Sequence, residues 1–209
     1  EYCGNITGSG HATGRRICCA GAYEAERAFR DSLFTVISAM TSTGYTISDY
    51  MYWPIVGWVL VFFLMFTGAC AGSTAGGIKW VRLSIIIKNG VSEFQRRIHP
   101  NAIIPVKLNG KPIPQQTTNN IMAFLIFYVF IIAVTVVIFC ACGVNFDEAI
   151  GSAVSAMGNV GISIGQFGPA GNYANFPIVG KWVMSFVMIV GRLEIFTILL
   201  LFTRVLWKK

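Results

Sequence analysis

From Ile121 to Cys142 the chain runs for 22 residues without one charged side chain. As a helix rising about 1.5 Å per residue, that run reaches roughly 33 Å, enough to cross a hydrocarbon core of about 30 Å. Composition agrees: 55% of the 209 residues are hydrophobic and 12% charged, with a mean hydropathy of +0.63, where soluble domains carry about a quarter charged residues. The chain is expected to be an integral membrane protein. Its net charge of +7 is distributed to match. Lys79, Arg82, Lys88, Arg96, Arg97, Lys107 and Lys111 face a single acid, Glu93, within one segment, while the loop from Gly143 to Pro177 carries only Asp147 and Glu148. By the positive-inside rule residues 79–116 are cytoplasmic, as is the basic C-terminus (Arg204, Lys208, Lys209), and the acidic loop lies outside. Nucleic acid is not needed to explain the charge.

The chain does not begin with Met and opens on a polar, Gly-containing stretch, which reads as the latter part of a longer protein with an extracytoplasmic segment at 1–27. The six cysteines form no framework. Cys70, Cys140 and Cys142 fall in apolar segments, where small-residue packing is expected; Cys3 could pair with Cys18 or Cys19 if the first stretch is extracytoplasmic. Asn5-Ile6-Thr7 matches a glycosylation sequon, a short pattern that arises often by chance.

The sequence also repeats itself. Ser38-Ala39-Met40-Thr41-Ser42-Thr43-Gly44 recurs as Ser155-Ala156-Met157-Gly158-Asn159-Val160-Gly161, with Phe29 and Phe146 in the same relation. Pro54-Ile55-Val56-Gly57 recurs as Pro177-Ile178-Val179-Gly180, and Met65 to Gly68 as Met188 to Gly191, after extra residues around Ala170 to Asn175. Each copy reads as a short helix (28–40 and 146–157), a Gly-containing loop (41–46 and 158–162) and a long apolar segment (52–88 and 176–207). The short helices are too short to cross a bilayer, so both are expected to be re-entrant. Irregular backbone at membrane depth survives only when buried in protein or lining a water-filled path. The fold class expected is an all-α membrane protein with about one and a half membrane helix, pore helix, filter loop, membrane helix units. Residues 28–88 are one unit lacking its first membrane helix, 89–116 a cytoplasmic connector with a hairpin near Lys107 to Lys111, and 117–209 a second unit whose first membrane helix is 117–142.

Such loops suit cation coordination, because rings of backbone carbonyls can replace a hydration shell without a trapping charge. The candidate coordinating residues are Thr41, Ser42, Thr43, Gly44 and Tyr45, and Gly158, Asn159, Val160, Gly161 and Ile162. The short helices would aim their negative C-terminal dipoles at the ion, with Asp31, Asp147 and Glu148 at the opposite ends. A single Gly loop would be weak support, since ordinary turns look alike; the duplication strengthens it.

The segment after the first loop is longer than a bilayer needs and is interrupted by small residues from Gly68 to Gly77, including Gly72, Ser73, Thr74 and Gly76. A broken helix is expected there, against the plainer reading of a small-residue packing face. Arg192 and Glu194 interrupt the last apolar segment. Charges at that depth usually face a cavity, a partner or a conduction path. Arg192 aligns with Ala69 of the first copy and is expected to reach the pore below the loops, the alternative being a structural ion pair. Lys181 reads as a snorkelling residue, Glu194 as a structural partner, and His99 as a solvated loop residue without companion ligands.

These residues resemble the Trk/Ktr family of potassium-translocating membrane subunits. Thr41-Ser42-Thr43-Gly44-Tyr45-Thr46, Trp53-Pro54, the run from Gly68 to Lys79, and Gly191-Arg192-Leu193-Glu194 carry the likeness in order across most of the chain, the Gly-rich run most specifically. The resemblance implies four units around a pseudo-fourfold pore, of which this chain holds most of the third and all of the fourth. It implies potassium as substrate, bound at the carbonyls of Thr43, Gly44, Val160 and Gly161, with no cofactor in this chain. It further implies that Gly68 to Gly77 is a gating loop completed by Arg192, in a multi-pass protein of the cell inner (plasma) membrane. The partners implied are the upstream half of the same pore, a second copy in a homodimer, and a cytosolic nucleotide-binding regulatory subunit. The fourth filter of the family commonly continues with Pro-Gly; here Ile162-Ser163 follow Gly161. A secondary transporter with discontinuous helices would account for the interruption at Gly68 to Gly77 but less well for two matched loops. An enzyme is weaker still, as no His, Cys or carboxylate cluster has ligand or nucleophile spacing.

Overall fold

In a computed structural model of the chain, residues 22–70, 72, 73, 76–98, 107, 108 and 111–193 are described. Cys3, Cys18, Cys19, the sequon at Asn5, Thr74, His99, Glu194 and the basic C-terminus lie outside them.

Six helices make up most of the described chain: α1 (Ala22–Met40), α2 (Ile55–Phe66), α3 (Trp80–Ile98), α4 (Gln115–Ala141), α5 (Phe146–Gly158) and α6 (Ile178–Arg192). Two short strand pairs accompany them. β1 (Thr67–Gly68) runs parallel to β2 (Ile78–Lys79), and β3 (Lys107–Leu108) antiparallel to β4 (Lys111–Pro112), so an otherwise helical chain carries a hairpin at its basic connector. Pro54, Pro114 and Pro177 each stand immediately before a helix at its N-cap, and their carbonyls accept the N–H groups of Gly57, Thr117 and Lys181.

Helix α4 is long and apolar enough to cross a membrane. Its buried residues Phe124, Tyr128, Ile132, Thr135 and Phe139 recur every three or four positions, a stripe facing protein. Ile126, Phe127, Val129, Phe130, Val134 and Val137 are exposed on the other sides, as expected of a helix apolar all round that faces hydrocarbon.

Helix α5 is the centre of the molecule. Every residue from Gly151 to Gly158 is buried, and α4, α6 and α2 all pack on it. Gly151, Ser152, Ala153, Ser155 and Ala156 supply the reason: small side chains let neighbouring helices approach closely. Asn145 precedes its first turn, which carries Asp147 and Glu148, where the helix dipole favours acids.

Several boundaries differ from expectation. Helix α1 starts at Ala22, not 28, because good helix formers and an i,i+4 pair, Arg27 to Asp31 at 4.0 Å, carry the helix into the polar stretch. Asp31 is therefore mid-helix and not at an N-terminus. The connector expected over 89–116 begins as helix, since α3 continues to Ile98, and α4 starts at Gln115 in place of 117. Helix α5 ends at Gly158, α4 at Ala141, and α6 starts at Ile178. Lys181 does more than snorkel: its Nζ donates to the Ala174 carbonyl at 2.7 Å.

Between α2 and α3 the described residues 67–70, 72, 73 and 76–79 are not helical, and the chain returns on itself, with Thr67 beside Ile78 and the Trp80 N–H donating to the Ala69 carbonyl at 3.4 Å. A side chain on Gly68 would overlap the Gly76 carbonyl oxygen, so the excursion closes only because its neck is glycine. The extra residues of the second copy, around Ala170 to Asn175, are also structured. Tyr173 stacks on Phe167 at 5.1 Å and 11°, and Phe176 meets Phe139 of α4 edge-on at 5.1 Å.

Candidate functional site: two matched loops

Both repeated loops begin as the same helix cap. After α1, the Thr43 N–H donates to the Ser38 carbonyl at 3.0 Å and the Ser42 N–H to Ala39 at 3.3 Å; after α5, Val160 donates to Ser155 at 3.0 Å and Asn159 to Ala156 at 3.2 Å. This is the 6→1 and 5→2 pattern of a Schellman cap. Its left-handed residue is Ser42 in one loop and Asn159 in the other, each with φ 55°. Two residues on, Gly44 (φ 76°) and Gly161 (φ 95°) are left-handed again, while Thr43 and Val160 between them are not. Alternating handedness turns successive peptide groups the same way, the arrangement that also builds backbone nests for ions. The matched loops thus share their cap hydrogen bonds and their two left-handed positions.

The two loops touch. A Cβ on Gly44 would overlap the Val160 carbonyl oxygen and lie 3.1 Å from its carbon and 3.9 Å from the Gly161 Cα. Ser42 Oγ donates to the Gly158 carbonyl at 3.0 Å, and Thr41 and Thr43 share a hydroxyl hydrogen bond of 2.8 Å. Thr41, Thr43 and Tyr45 are exposed, Ser42, Gly44 and Asn159 half-buried, Gly158, Val160 and Ile162 buried, and Gly161 exposed.

The Gly-rich excursion lies against the second loop. Gly76 is buried, and a Cβ there would fall 2.5 Å from the Gly158 carbonyl oxygen and 3.0 Å from Asn159 Nδ2. Gly77 is half-buried, Gly72 exposed, and the Ser73 N–H closes a turn onto the Cys70 carbonyl at 2.9 Å. From the other side Gly191 of α6 presses on the base of α5: its Cβ would overlap the Met157 carbonyl oxygen and come 2.9 Å from Asn159 Nδ2. Arg192 follows as the exposed last residue of α6.

Sequence reasoning missed the buried polar residues behind the second loop. Tyr50, fully buried, donates its hydroxyl to the Ser163 carbonyl at 2.5 Å. Ser163 and Ser152 share a hydroxyl contact of 3.2 Å, and Ser155 Oγ accepts the Gly161 N–H at 3.0 Å. No local pattern marks a lone Tyr or Ser for such a role; the contact spans 113 positions.

A family model described as TrkH, a cation transport protein, matches residues 18–208. The Trk system potassium uptake protein TrkH of Halomonas elongata is 34% identical over 187 residues, which is 90% of this chain and 38% of that protein. The Escherichia coli K12 protein of the same name is 34% identical over 178 residues, 85% of this chain and 36% of its own length. The crystal structure of the potassium transporter TrkH from Vibrio parahaemolyticus matches with a TM-score of 0.80 at 32% identity, covering 88% of this chain and 39% of that one. The chain therefore spans less than two-fifths of the length of these relatives. They are transport proteins and not enzymes, and the shared architecture is that of a mostly helical membrane protein. With the model spanning nearly all of its residues, the chain belongs to the TrkH family of cation transport proteins.

Proposed function

We propose that this chain forms part of a potassium-translocating pore, in which Thr41 to Tyr45 and Gly158 to Ile162 are two filter segments and the carbonyls of Thr43, Gly44, Val160 and Gly161 coordinate the ion. The observation that carries the reading is the close approach of Gly44 to Val160 and Gly161, two loops with the same alternating backbone. Had the glycines stood apart, no common ion path could run between them. Carbonyl coordination exchanges hydration water for fixed oxygens without a net charge to trap the cation.

Gly68 to Gly77 acts as the gating loop in this proposal, and its contact with Gly158 and Asn159 supports a mechanical link to the filter. Arg192 adds a positive charge below the loops. The remainder of the pore comes from upstream sequence, and the exposed apolar stripe Phe29, Leu33 and Ile37 on α1 is a surface such a segment would cover. The assembly is a homodimer in the plasma membrane, with residues 79–116 and the C-terminus inside, the loops facing outward, and a cytosolic nucleotide-binding subunit on the inner side.

The test is potassium uptake by cells lacking their own potassium transporters, restored by the full-length protein; no restoration at normal membrane abundance counts against the proposal. Arg192→Ala is expected to raise basal flux on the order of tenfold, from removal of roughly 1–2 kcal/mol of charge repulsion. Unaltered or lower flux in correctly folded protein would remove Arg192 from the gate.

A further inference from the structure

Behind the second loop lies a buried hydroxyl scaffold reached from the first repeat. Tyr50 is 0% exposed and donates to the carbonyl of Ser163, itself 0% exposed. Ser163 meets Ser152 hydroxyl to hydroxyl at 3.2 Å. One turn further along α5, Ser155 Oγ accepts the N–H of Gly161 at 3.0 Å. The Tyr173 phenol, from the outer loop, faces the hydroxyls of Ser152, Ser155 and Ser163. Gly151 makes room for this arrangement: a Cβ there would lie 2.7 Å from Ser163 Oγ and 3.0 Å from the Ile164 N–H nitrogen. Among the described residues the first loop has no counterpart. Ser38, the repeat equivalent of Ser155, has a buried hydroxyl without a partner among the described residues, and the Gly44 N–H turns to the Ser38 backbone carbonyl at 3.4 Å.

We infer that Tyr50 is a specificity-determining strut, bracing the second loop from the first repeat so that the Val160 and Gly161 peptides keep one spacing from Gly44. The inference rests on the filter reading above and adds the residues that hold the filter to width. Two features carry it. The Tyr50 to Ser163 bond joins the segments following the two loops, so it fixes their separation; and Ser155 holds the second loop by the N–H of Gly161, leaving that peptide's own carbonyl geometry set from behind. Buried hydrogen bonds in a low-dielectric setting are costly to leave unmade. Removing the Tyr50 hydroxyl therefore frees the Ser163 carbonyl to move, and the loop with it.

The experiment compares Tyr50→Phe and Ser155→Ala in the full-length protein reconstituted in vesicles, measuring initial potassium and sodium fluxes and thermal unfolding. Tyr128→Phe is the control, because Tyr128 on α4 is equally buried and its hydroxyl has no partner among the described residues. Tyr50→Phe and Ser155→Ala are each expected to lower the potassium to sodium flux ratio about fivefold, the effect of one typical hydrogen bond. Tyr128→Phe is expected to leave the ratio unchanged. If both variants keep the wild-type ratio while Gly44→Ser lowers it, the strut is overturned and the filter stands. If Gly44→Ser also keeps it, the filter reading falls and takes the strut with it.

Discussion

Gly44→Ser is expected to lower potassium over sodium preference in the full-length protein by at least about tenfold, with loss of most flux, in ion-uptake measurements on correctly inserted protein. Two effects combine at this residue. Its φ of 76° is left-handed, which costs an L-residue roughly 1–2 kcal/mol. Its Cβ would also overlap the Val160 carbonyl oxygen, and since both partners are backbone, no side chain can swing aside. The Val160 peptide must rotate, and that peptide is one of the proposed ligands. Gly161→Ala separates the two effects, because φ is 95° there but nothing lies within 4 Å of an added Cβ. It carries strain alone and is expected to change the preference only about threefold, as local rotation relieves part of the roughly 1–2 kcal/mol. Equal effects at the two glycines would show that the contact between the loops does not matter; wild-type selectivity in Gly44→Ser would count against the filter assignment itself.

The second large effect is expected at Gly191. Replacing it with Ala drives a methyl into the Met157 carbonyl, with Asn159 Nδ2 2.9 Å away. Overpacking against rigid backbone costs roughly 3 kcal/mol, so thermal unfolding of the purified full-length protein should occur several degrees lower. The displacement of α6 from the base of α5 should disturb transport as well. Gly90→Ala in α3 is the matched control. It makes the same chemical change inside a helix, with nothing within 4 Å of the new Cβ, and helix propensity alone should raise stability by up to about 1 kcal/mol. Opposite signs for the two substitutions would establish that close approach, not helix composition, decides the role of Gly191. A Gly191→Ala protein as stable as the parent would mean that α6 stands further from α5 than this.

The elements read from sequence were those written in local pattern. A run without charge from Ile121 to Cys142 announces α4 because a membrane helix needs nothing else. The interruption between Phe66 and Trp80 follows from a density of small residues that helix energetics disfavours. Less legible was the start of α1, where polar residues with good helix propensity extend a helix that hydrophobic pattern alone would begin later. The antiparallel pairing of Lys107–Leu108 with Lys111–Pro112 was expected because an Asn-Gly dipeptide in the sequence between them suits a hairpin.

The repeat could be recognised by eye, since the motif at Ser38 returns at Ser155 with matching residues. What sequence determined by itself is therefore the membrane class, the duplication and the identity of the loop residues, all properties of neighbours along the chain. Only the tertiary structure decided that Gly44 meets Val160, that Gly76 and Gly191 converge on the base of α5 from two sides, and that Tyr50 reaches Ser163. Those contacts join residues far apart in the chain, and their partners are mostly backbone carbonyls. A carbonyl is the same atom at every position, so no side-chain pattern can say which one a glycine or a phenol will find.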